Sequence, residues 1–60
     1  MSQVYNPEIE VMAEIERREL EARNIRRSIE HARNAEDKRV LNRQLAELKE
    51  SIEHLRSRLP

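Results

Sequence analysis

Sixty residues allow one domain at most, and a chain this short buries a smaller share of its surface than a larger protein, so its stability needs help from outside the fold. With no cysteine and two histidines, neither a disulfide framework nor a classical zinc module can give that help, which leaves oligomerisation or a partner. Basic and acidic residues balance at twelve against twelve, which argues against a protein held on nucleic acid or membrane by its overall charge.

Charged residues make up 40% of the chain, glycine is absent and Tyr5 is the one aromatic residue, a profile rich in Glu, Arg, Leu and Ala that suits long helices and argues against strands. Glu8 and Glu10 stand where a signal peptide would carry its apolar core, and no run approaches the roughly 18 apolar residues of a membrane span. The expectation is a cytoplasmic or otherwise intracellular protein with no membrane partner. The charge is unevenly spread. Positions 23–43 hold seven basic residues against three acids, a local balance of +4, and the remainder, five against nine, is −4.

Asn6 followed by Pro7 and Glu8 predicts a helix start: an Asx N-cap, a proline at the first helical position, and acids facing the positive end of the helix dipole. The apolar seam of this first helix runs Val11, Ile15, Ala22, Ile25, Ile29, Ala32 in alternating steps of three and four, with Arg18 at the one position that breaks it. Ala32 and Leu41 hold equivalent heptad positions yet lie nine residues apart, two more than a heptad. In one continuous helix that slip would swing the stripe by about 200°. A turn resolves the mismatch. Asn34 with Asp37 three residues later predicts an N-cap with an acidic third position, a capping box in which Asp replaces Glu or Gln.

The second seam runs Leu41, Leu45, Leu48, Ile52, Leu55, Leu59, with Val40 set aside, and ends at Pro60. The pattern predicts one all-α domain over 1–60, an antiparallel helical hairpin or two-helix coiled coil, with a helix over 7–33, a turn at 33–36 and a helix over 36–58. Antiparallel helices joined by a short turn pair residues whose numbers have a constant sum, here 70, which sets Ile15 against Leu55, Arg18 against Ile52 and Ala22 against Leu48. The flanks then place Glu14 opposite Arg58 and Glu19 opposite Lys49, exposed pairs worth about 0.2–1 kcal/mol each. Two such hairpins packed antiparallel would set each +4 pole against the other's −4 pole, so a homodimer in the form of a four-helix bundle is the expected assembly. The tetrapeptide Ser-Ile-Glu-His occurs at 28–31 and again at 51–54 in the same heptad phase, from a duplicated helix or from two helices written on one heptad.

No catalytic, cofactor-binding or metal site is expected. Di-iron bundles take Glu and Glu-x-x-His motifs facing inward, whereas here Ser28 and Ser51 stand three residues before His31 and His54, and both histidines fall on the outer face. Nucleophilic catalysis lacks a cysteine or threonine and a cleft in which a serine could be activated. Other residues are more informative. Ile9, Met12, Ala13 and Leu20, with Val4 and Tyr5 just before them, either form a second narrow stripe on which a second hairpin or another helical protein could dock, or are scattered surface apolars. Arg18 either fixes register or oligomeric state, or lays its stem over Ile52 and reaches Glu14 one turn back. Arg17, Asn24, Arg27 and His31, with Arg39 and Arg43 across the turn, form a candidate basic patch for RNA or DNA phosphates, or they pair with the many glutamates.

The architecture is similar to that of the small RNA-binding plasmid copy-control bundle, a dimer of helical hairpins of about this length, though no motif is shared. The segment 25–52 faintly resembles the UVR hairpin of nucleotide-excision-repair proteins, without its Phe-Glu and paired alanines. Neither resemblance carries residues over. The function expected is non-enzymatic protein–protein interaction, as a homodimer or as a small structural or adaptor subunit of a larger assembly, including a virus particle. The alternative is a small regulator that binds RNA or DNA through the turn-end basic patch.

Overall fold

The computed structural model describes residues 6–59. Two helices, α1 (Pro7–His31) and α2 (Ala35–Arg56), pack against each other, and the described residues contain no strand. The start of α1 follows from its capping residues. Asn6 lies in the extended region, the N–H of Glu8 donates to its Oδ1 at 3.0 Å, and Pro7 occupies a position whose missing N–H costs nothing.

The expected helix over 7–33 ends two residues earlier, at His31, and α2 spans 35–56 in place of 36–58. The reason is local. Ala32 leaves the helix extended, with φ −68° and ψ 134°, and its N–H turns back to the Ile29 carbonyl at 3.2 Å. Asn34, also extended, then caps α2 from one position before Ala35: the Asp37 N–H donates to Asn34 Oδ1 at 2.7 Å. The acid at the third position closes the motif as expected but on a different donor, since Asp37 Oδ2 accepts from the Asn34 side-chain amide at 3.0 Å. No described residue has a positive φ, so a chain without glycine makes this reversal without a left-handed residue. At the far end Ser57 caps α2, and the N–H groups of Arg58 and Leu59 donate to carbonyls three residues back, at 3.1 and 3.0 Å. That tightening curls Leu59 onto the core.

The core is the predicted seam. Ile15, Ala22, Leu48 and Ile52 are buried, and Val11, Ile25, Leu45, Leu55 and Leu59 pack partly buried against them. Ile29, Ala32 and Leu41 near the turn are only half-buried, so packing is tightest in the half away from the turn. The molecule measures 53 × 22 × 11 Å, about one helix thick, and neither flank of the seam is covered.

The flanking ion pairs differ from the expected ones. Glu19 meets Arg56, at 3.6 Å, and not Lys49. These two partners lie seven residues apart, one heptad, on the same column of α2, so the seam alone cannot choose between them. Glu14 is taken by Arg17 and Arg18 of its own helix and does not reach Arg58. A partner one turn away on the same helix is held near at no cost in tertiary order, which favours it over one across the interface.

Candidate functional site

The two seams consume the apolar face of α2 but only one of the two apolar faces of α1. Leu20 and Ala22 are two residues apart, hence about 200° apart around the helix, and Ala22 points into the core. Leu20 therefore points almost directly away from α2. From Ile9 to Leu20 is eleven residues, three turns plus about 20°, so the two share that outward face, with Met12 and Ala13 on either side. Ile9 is 63% exposed, Met12 52% and Leu20 57%, and Ala13 is exposed as well. These three make up all but one of the exposed large apolar side chains among the described residues; the other is Val40 on α2, at 51%. Tyr5, expected to extend the stripe, lies outside the described residues.

Arg18 adopts the geometry of a stem in the seam with its head outside. One guanidinium nitrogen contacts Glu14 Oε2 at 3.2 Å, while Nε is shielded from solvent without a hydrogen-bond partner. Arg18 is therefore held by its own helix, with its Nε shielded in the seam.

The basic residues do not meet as one patch. Arg27 and His31 continue the outward face of α1, three and seven residues along from Asn24. Arg39 and Arg43 lie about 160° from Leu41 around α2 and so point out of the opposite side of the hairpin. All four are exposed, and among the described residues none is held in an ion pair; Arg17 is, by Glu14. The cations that do gather were not singled out in the sequence. Arg23 and Arg26 of α1 face Lys49 and Arg56 of α2 across a groove along one flank of the seam, floored by Ala22 and Ile52 and shared with Glu19 and Glu53. The signal for it was available: Glu19, Arg26, Lys49 and Arg56 each directly follow the d position of their heptads, the column that borders the seam. The opposite flank is lined by Arg18, Glu21, Gln44, Glu47 and Ser51 around Ile25 and Leu48, so it too carries charged groups beside the seam.

Two serine hydroxyls serve the helices: Ser28 donates to the Asn24 carbonyl at 3.1 Å and Ser57 to that of His54 at 2.6 Å. Among the described residues no three His, Asp or Glu side chains converge in a way that could hold a metal ion, and no helix is long and apolar enough to cross a membrane. Comparison of the chain with protein-family models, with curated proteins and with solved structures gave no match. The functional reading rests on the surface of the hairpin itself.

Proposed function

We propose that the chain is a non-enzymatic helix-docking module that acts by packing the outward face of α1 against another helix, in a homodimer of hairpins with four helices in all or as a small subunit of a larger helical assembly. One observation carries this: Ile9, Met12 and Leu20 stand half or more exposed in a line on the side of α1 that the hairpin leaves empty. With four buried apolar residues among those described, the hairpin has little core of its own, and covering this line would add apolar burial at about 25 cal/mol per Å². Leu20→Glu tests the reading because Leu20 takes no part in the hairpin core. Sedimentation equilibrium should show association lost, while circular dichroism at high concentration shows a helix content no lower than that of the dissociated wild type. Association unchanged by Leu20→Glu would refute docking through this face.

A second reading, binding of RNA or DNA, draws on the exposed Arg27, Arg39 and Arg43, which have no ion-pair partner among the described residues. Their position on two opposite sides of the hairpin weighs against it, since a single phosphate backbone would have to pass both. Its signature would be an affinity that falls steeply with salt and disappears in Arg27→Glu and Arg39→Glu.

A further inference from the structure

We infer that the partner of the outward face of α1 is the same face of a second copy, run antiparallel and centred on Leu20; this deepens the docking reading above and rests on it. The face does not stop where its apolar residues stop. In steps of three and four it runs Ile9, Met12, Glu16, Leu20, Arg23, Arg27, and then His31, all exposed. Leu20 is its midpoint, eleven residues from Ile9 on one side and eleven from His31 on the other. The half before Leu20 is apolar and acidic, the half after it basic.

A face of this pattern is complementary to itself reversed. Antiparallel pairing about Leu20 sets Leu20 against Leu20 of the second copy and Glu16 against Arg23 of the second copy, twice by symmetry. Met12 then lies along the stem of Arg27, and Ile9 beside the ring of His31. Parallel pairing would set Glu16 against Glu16, Arg23 against Arg23 and Arg27 against Arg27, three like-charge contacts that association disfavours. Within the hairpin Glu16, Arg23 and Arg27 are in no ion pair among the described residues, so their charges are available. The +4 balance of positions 23–43 at the turn end, against −4 for the remainder, points the same way.

The structure also disfavours the alternative of a square bundle closed over one flank of the seam. One flank carries Arg26, Lys49 and Arg56 with Glu19 and Glu53, and the other carries Arg18, Glu21 and Glu47 around Ile25 and Leu48, so enclosing either would desolvate charged groups. Since the face and the seam lie on nearly opposite sides of α1, the four helices form one layer in the order α2, α1, α1, α2.

Because the chain has no cysteine, single introduced thiols report the geometry. Met12→Cys and Arg27→Cys, mixed and oxidised, should cross-link to each other, and Met12→Cys alone should not. Glu16→Arg and Arg23→Glu should each weaken self-association by about tenfold or more, and the double substitution should restore most of it. Cross-linking of Met12→Cys with itself, or a double substitution as weak as the singles, would overturn the antiparallel face while leaving docking through Leu20 intact. A wild type that stays monomeric at all concentrations would overturn the second copy as partner. Loss of wild-type association in Leu20→Glu remains the separate test of the docking face itself.

Discussion

Replacing Arg18 by leucine should stabilise the hairpin. Arg18 occupies a seam position with its side chain only 37% exposed, and its Nε is shielded without a partner. A shielded, unmatched donor costs about 1–3 kcal/mol, and Arg18→Leu removes it. The substitution also gives up the ion pair with Glu14, whose two side chains are each more than a third exposed, worth about 0.2–1 kcal/mol. Leucine continues the apolar layer opposite Ile52, though the arginine stem already covers part of that surface, so the added burial is a fraction of the 1.5–3 kcal/mol of a whole leucine side chain. The net expectation is a gain of about 1–2 kcal/mol. Urea unfolding followed by circular dichroism at one fixed protein concentration should show an unchanged slope and a midpoint higher by roughly 1 M or more, for a slope near 1 kcal/mol per M. An equal or lower midpoint would refute the reasoning and make Arg18 a stabilising seam residue. A change of mass in Arg18→Leu, measured by sedimentation, would assign it instead to the choice of oligomeric state.

Three further substitutions probe the parts of the fold separately. Ile52→Ala, at a site 7% exposed in the centre of the core, should cost about 2–4 kcal/mol and remove most of the helical signal of so small a domain; retention of a full signal would mean that the core is not where the stability lies. Asn34→Ala deletes the acceptor of the Asp37 N–H and the donor to its carboxylate, with an expected loss of about 1 kcal/mol in urea unfolding, and no loss would mean that the turn does not depend on this cap. Arg56→Ala breaks the pair with Glu19 across the interface, yet with 57% and 41% of the two side chains exposed the loss should be under about 1 kcal/mol and smaller still at high salt. A larger loss would show that this contact sets the register.

Much of the hairpin was legible in the sequence because it is governed by local rules and by periodicity. A proline after asparagine favours a helix start, an asparagine three residues before an aspartate favours another, and a two-residue slip between heptad stripes leaves a reversal as the simple solution. The same periodicity located the stripe of Ile9, Met12 and Leu20 outside the seam, since a helix fixes which residues share a face before anything packs on it.

Only the tertiary structure decided what depends on the distance between helices. Whether Glu19 would meet Lys49 or Arg56, one heptad apart, turned on how α1 and α2 lie against each other, and no pattern within either helix contains that. The fate of Glu14 was likewise a competition between partners on its own helix and one across the interface, settled by geometry in favour of Arg17 and Arg18. Arg17, Arg27, His31, Arg39 and Arg43 looked like one patch because all lie on the outer faces of two helices that meet at the turn. Folding places Arg27 and His31 on one side, Arg39 and Arg43 on the other, and Arg23 with Arg26 beside Lys49 and Arg56. Position along the chain sets what charges a helix carries, but the packing of one helix on another sets which of them a ligand would meet together.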